Sequence, residues 1–85
     1  MYSLVWSPKS QQDLAALEKE IVLRIVNRLE QVKHTPYHFA EHLTDIRAWK
    51  LRIGDYRVIM DIDEAEKTIF VLKVGHRKNI YKNLR

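Results

Sequence analysis

Lys50, Arg52, Arg57, Arg77 and Tyr81 are the residues of this 85-residue chain whose types and spacing could do chemistry together. Guanidinium and ammonium groups bind phosphate and stabilise negative charge that develops in a transition state. A phenol can contact a reacting group and pass a proton, and His76 offers an imidazole that titrates near neutrality. Lys73, Lys78 and Lys82 thicken the same region: Lys73 to Arg85 holds five cations and no acid. Arg47 to Arg57 holds four cations against Asp55 alone. The formal net charge is +4, and this excess is local. Such a surface attracts polyanions, nucleic acid first among them. The plainer reading of each residue stays open: a solvated face for the cations, a surface position for His76, a half-buried anchor for Tyr81.

Short elements must position these groups. Leu4-Val5-Trp6 reads as a strand. Ser7 is a good helix cap, and Pro8 at the first helical position loses no needed hydrogen bond. Leu14, Leu17, Ile21, Ile25, Leu29 and Val32 recur at helical steps, so one helical face is buried from about Pro8 to Lys33. A straight helix of ~25 residues would be ~38 Å long, so a break near Glu18-Lys19-Glu20 folds it into a helical hairpin. Thr35-Pro36 ends it. The segment from His38 to Asp45 gives no pattern. Trp49, Leu51 and Ile53 then alternate with polar residues, and Gly54-Asp55 suits a two-residue turn. Tyr56, Val58, Met60 and Ile62 follow in alternation, Glu64-Ala65-Glu66 is a polar turn, and Phe70, Leu72 and Val74 continue the apolar phase. His76 opens a basic tail with one helical turn around Ile80-Tyr81. The result is one two-layer α+β domain over residues 1–85: an N-terminal strand, a helical hairpin and a three-stranded antiparallel meander, in the order β-α-α-β-β-β. The helices cover one apolar sheet face. Trp6 and Trp49 fall in core phase.

Composition excludes several chemistries. There is no cysteine, so disulfides, thiolate metal sites and a Cys nucleophile are out, and a reducing, cytoplasmic setting is expected. No apolar run approaches the ~18–20 residues of a membrane span, and the opening residues are not those of a signal peptide. His34, His38 and His42 are spaced for a helical metal stripe, but Pro36 should break any helix between them. Asp61-Ile62-Asp63-Glu64 lacks the glycine and terminal glutamate of a calcium loop. No metal and no cofactor are therefore expected.

The hairpin register makes the cation pattern sharper. With the turn at Gly54-Asp55, Arg52 stands directly opposite Arg57. Such pairs lie ~4.5–5.5 Å apart, where like charges destabilise. A second turn at Glu64–Glu66 would set Arg57 opposite Lys73. Lys50 shares the face, while Asp61, Asp63, Glu64 and Glu66 gather at the other end. A row of uncompensated cations breaks a local rule, and such breaks tend to mark function. A bound polyanion would relieve it.

The stretches Trp49-Lys50-Leu51-Arg52-Ile53-Gly54-Asp55-Tyr56-Arg57-Val58 and Val74-Gly75-His76-Arg77-Lys78-Asn79-Ile80-Tyr81 resemble the RelE branch of the RelE/ParE superfamily of toxin–antitoxin toxins. With Trp6-Ser7-Pro8 and the helical hairpin, the resemblance covers nearly the whole chain. It implies a toxin of a type II toxin–antitoxin system: a ribosome-dependent, metal-independent endoribonuclease that cuts messenger RNA in the A site and inhibits translation. The 2′-OH attacks the adjacent phosphate, leaving a 2′,3′-cyclic phosphate and a 5′-OH. Arg57 and Arg77 correspond to transition-state arginines, Tyr81 to the tail tyrosine, and Lys50 and Arg52 to basic positions of the hairpin. The proton acceptor stays open between Tyr81, Lys50 and His76. Partners implied are a cognate RelB-like antitoxin, the ribosome and messenger RNA, with operator DNA reached only through the antitoxin complex and no membrane. A ParE-like gyrase inhibitor and a catalytically inactive binding module are the alternatives.

Overall fold

The computed structural model describes residues 1–44 and 47–82. Asp45 and Arg85 lie outside them. Strand β1 (Ser3–Trp6) leads into α1 (Pro8–Ala15) and α2 (Lys19–Val32), then a single turn α3 (Pro36–Phe39) and a two-residue strand β2 (Glu41–His42). Strands β3 (Trp49–Ile53), β4 (Tyr56–Asp63) and β5 (Thr68–His76) complete a sheet of order β1-β5-β4-β3-β2. β1 runs parallel to β5, and the other neighbours are antiparallel. Among the described residues no helix is long and apolar enough to cross a membrane.

The helical hairpin forms for the expected reasons. The Ser7 hydroxyl accepts a hydrogen bond from the Ser10 N–H, and Pro8 follows at the first helical position. The break falls at Ala16 to Glu18, just ahead of the expected place. Ile25, Leu29 and Val32 of α2 are wholly buried against Leu51, Val58, Met60, Ile69 and Val71 of the sheet. Trp6 and Trp49 pack at the margin of this core. The segment without a sequence pattern holds the end of α3 and the whole of β2, and β2 adds a fifth strand to the four expected. Pro36 opens α3 as a separate turn, so His34, His38 and His42 stand on three different pieces of chain.

The first hairpin has the expected register, with Ile53 opposite Tyr56 and Arg52 opposite Arg57. Gly54 takes φ +58, the left-handed region that a glycine enters without strain at the first position of such a turn. The second hairpin departs from expectation. Its turn runs to Lys67, because Asp63 pairs with Thr68. A bulge then shifts the register: Met60 pairs with Val71 but Ile59 with Lys73, so Leu72 is left over. Ile69, Val71 and Val74 are buried, whereas Leu72 is exposed, which corrects the assignment of Phe70 and Leu72 to the core face. The residue opposite Arg57 on β5 is Gly75, not Lys73.

The outer face of the sheet is not bare either. Ile59 lies there, and the basic tail folds back so that Ile80 joins Ile59 and Ala48 in a small second core. Gly75 makes room for it: a Cβ at that position would stand 3.2 Å from Ile80 Cδ1. The Ile80 N–H donates to His76 O, closing the expected helical turn.

Candidate functional site

β2 covers β3 only at Trp49 and Lys50, so Leu51 to Ile53 form an open sheet edge. A cleft of about 300 Å³ runs along that edge, bounded by Lys50, Arg52 and Arg57 from the sheet and by Arg28 and Phe39 from the helical layer. Leu51 and Glu41 complete its lining. Three residues that sequence reasoning chose for the site therefore meet here.

Arg57 is held in place before any ligand arrives. Its Nη1 donates to Gly54 O and to Tyr56 O, both at 2.9 Å. A guanidinium has five N–H donors in a fixed fork, so Nη2 and Nε are left to bind an anion. Arg52, directly across the ladder, is exposed. Neither forms an ion pair among the described residues. Arg77 reaches the same turn from the tail. Its N–H donates to Asp55 O at 2.8 Å, and its Nε lies 3.5 Å from Asp55 Oδ1. Exposed pairs of this kind contribute only ~0–1 kcal/mol, so a phosphate can displace the carboxylate. Gly54-Asp55 is thus the shared mount of both arginines.

Tyr81 and Lys50 form the other end of the group. The Lys50 ammonium stands 5.9 Å from the centre of the Tyr81 ring, and it lies 3.7 Å from Glu41 Oε2. Glu41 is the member that sequence reasoning missed. The register explains its presence, since β2 sets Glu41 directly opposite Lys50. It puts a carboxylate, a ready proton acceptor, among the cations. The only sequence signal was an acid in a segment without periodicity.

The remaining candidates are placed elsewhere. His76 pairs with Tyr56 across the ladder and shares the helical-side face with it, ring centroids 5.5 Å apart. Its Nδ1 accepts from the Lys78 N–H. The register thus puts it on the opposite face from Arg57 and Lys50. Lys73 is on the outer face but donates to Lys82 O at 2.9 Å, tying the tail down. Lys78 and Lys82 are exposed beyond it.

A second polar cluster sits at the far end of the sheet. Glu64 Oε2 accepts from Tyr2 at 2.5 Å and from Tyr37 at 2.8 Å, and Lys67 pairs with Oε1. The Lys67 contact and the two phenols hold the Glu64 carboxyl down to about 2. Lost hydration and the Glu64 bond push Tyr37 up to about 12. This carboxylate is satisfied from within the chain, and no group of three or more metal-ligating side chains occurs among the described residues.

The family described as ParE toxin of the type II toxin–antitoxin system parDE matches residues 4–81. No curated protein matches the chain. Solved structures share its fold, three of them as follows. The toxin–antitoxin complex RelBE2 from Mycobacterium tuberculosis is 24% identical, with 89% of this chain and 98% of that chain covered and a TM-score of 0.84. The isolated RelE toxin of E. coli is 19% identical, with 89% and 84% covered and a TM-score of 0.78. The RelE–RelB complex of Pyrococcus horikoshii is 24% identical, with 92% and 97% covered and a TM-score of 0.75.

Proposed function

We propose that this chain, which belongs to the ParE toxin family of type II toxin–antitoxin systems, is an endoribonuclease that cuts messenger RNA in the ribosomal A site. The observation that carries the reading is the cleft at the β3 edge. It joins Lys50, Arg52 and Arg57, with Arg77 mounted on the adjoining turn and Tyr81 beside Lys50. In this reading the phosphodiester lies across Arg57 and Arg77. The 2′-oxygen gives its proton to a base and attacks phosphorus, the P–O5′ bond breaks, and the 5′-oxygen takes a proton from solvent to leave as a hydroxyl, giving a 2′,3′-cyclic phosphate. The pentacoordinate intermediate carries more negative charge than the ground state, and fixed guanidiniums stabilise it preferentially.

For the proton acceptor, Glu41, Lys50 and Tyr81 are the neighbouring candidates. A carboxylate accepts a proton at neutral pH without first losing one, whereas an ammonium or a phenol must be deprotonated beforehand. That favours Glu41 as base, with Lys50 and Tyr81 beside the same phosphate. The chain acts in the cytoplasm in this reading, and its cognate antitoxin silences it. RelE is bound to RelB in the M. tuberculosis and P. horikoshii complexes, which supports such a partner here.

The test is to map 5′ ends of messages in a translating extract. Wild-type protein should create new ends within codons at the A site, and an Arg57→Ala, Arg77→Ala double variant should not. Equal cutting by both would defeat the site assignment. Unaltered messages together with DNA breaks on induction would favour gyrase inhibition, the alternative that the ParE description keeps in view.

A further inference from the structure

The reading above uses the sheet and the tail but leaves the helical side of the cleft without a role. Arg28 of α2 lines that side. Its guanidinium carbon lies 4.7 Å from the Phe39 ring centre, and its Nη1 meets Gln31 Oε1 at 3.2 Å. One helical turn earlier, Arg24 Nη1 stands 3.8 Å from where a side chain on Gly54 would begin. Arg24 is therefore next to the turn that carries Arg57 and Arg77. Like charges four residues apart on a helix repel each other. Glu20, four residues before Arg24, is within reach along the helix, yet neither arginine forms an ion pair among the described residues. Arg24, Arg28, Arg52 and Arg57 thus come from two layers of the fold, surround one edge, and all lack a carboxylate partner there.

We propose that α2 carries a second RNA-backbone site, in which Arg24 and Arg28 hold phosphates of ribonucleotides other than the one that is cut. The proposal rests on RNA being the ligand of the cleft. Arg28 is pre-oriented by Phe39 and Gln31, so little side-chain freedom is lost on binding. The phosphates belong either to the message flanking the cut or to ribosomal RNA, and the two sources separate by experiment.

The full-length protein and an Arg24→Gln, Arg28→Gln variant are compared with Arg57→Ala as reference. Arg24 is exposed and Arg28 is half-buried on Phe39, and an unchanged thermal midpoint confirms the fold. Affinity for a labelled single-stranded oligoribonucleotide, and separately for ribosomes, is measured against salt. If the message is held, the oligonucleotide salt slope falls by about 1.4, that is, about 0.7 for each lost phosphate contact. Between 50 and 200 mM salt the wild type then loses roughly sevenfold more affinity than the variant. If ribosomal RNA is held, the oligonucleotide slope stays and the ribosome slope falls. In both cases an Arg24→Gln single variant, altered outside the cleft lining, retains the cleavage rate at saturating protein, which separates this site from Arg57. An unchanged slope for both ligands overturns the proposal. A reduced salt slope in the α2 variant together with no cutting of messages by the wild type would instead leave the α2 site standing and remove the nuclease reading.

Discussion

Ile80→Ala tests whether the tail is a separable, functional part of the site. Ile80 is 1% exposed and packs on Gly75, Ala48 and Ile59, away from the main core. Truncation removes three carbons, about 2.4 kcal/mol at about 0.8 kcal/mol per methylene. The neighbouring surface can collapse, so the cavity adds little, and the loss falls at the low end of the ~2–5 kcal/mol range for such changes. Apart from this side chain, the tail is held by the Lys73 bond to Lys82 O and the Arg77 bond to Asp55 O. A loss of about 2.4 kcal/mol multiplies the tail's opening constant by roughly 50. Hydrogen exchange at the Ile80 and Lys82 amides, which donate to His76 O and Asn79 O, should accelerate by about that factor. Amides of α2 and β4 should keep their protection. Cleavage should fall with the released tail, because Arg77 and Tyr81 leave with it. If the whole fold shared the loss, the thermal midpoint would drop by roughly 10–20 °C for a chain of this size. Such a drop, with exchange rising everywhere, would refute a locally docked tail. A freed tail with undiminished cleavage would refute the role given to Arg77 and Tyr81.

Glu41→Gln keeps the shape of the side chain but removes its capacity to accept a proton. Single-turnover cleavage should fall by about 10²–10⁴ with RNA affinity retained, and a rate within a few-fold of wild type would move the base to Tyr81 or Lys50. Glu64→Gln should lower the thermal midpoint at neutral pH. The Glu64 pKa is depressed from 4.5 to about 2, so its contribution is present above about 4.5 and is lost as pH falls through 2. Midpoints measured from pH 7 down to 2 should converge, and a constant gap would contradict the assignment. Tyr37 titrates at about 12 instead of 10.0, so its contribution is complete below pH 10 and is lost as pH rises through 12. Tyr37→Phe should accordingly show less loss of stability across that interval, and equal slopes would tell against the phenol.

The first hairpin was legible because two independent signals agree on it. Alternation from Trp49 to Ile62 sets the faces, and a glycine at the one position needing positive φ sets the turn. Arg52 opposite Arg57 follows from those two facts. The second hairpin offered only one signal. Ile69-Phe70-Val71-Leu72 is apolar at every position, so alternation could not choose a phase, and nothing marks Leu72 as the bulged residue. Placing Lys73 opposite Arg57 failed for that reason. β2 was invisible because two residues cannot show a period, and Glu41 went with it. Arg24 and Arg28 were in plain view on the helix. Their relation to the turn depends on how α2 lies across the sheet, which no local pattern states.

The two ends of the sheet treat charge in opposite ways. At the β4–β5 turn, one carboxylate receives an ammonium and two phenols, and the cluster needs nothing from outside. At the β3–β4 turn, two arginines face each other, two more stand on α2, and the nearest acids form only loose, exposed pairs with Arg77 and Lys50. Were stability the sole demand, the acids that crowd Asp61 to Glu66 could be shared between the ends at no cost in net charge. Repulsion among Arg52, Arg57 and their neighbours instead persists until an external anion arrives, and the same repulsion makes that anion's binding stronger. An antitoxin that silences this site must meet the same condition, so its segment over the cleft should be acidic. Neutralising its carboxylates should weaken the complex and flatten the salt dependence, and an inhibitor that binds as well without them would show that the cations serve some other end.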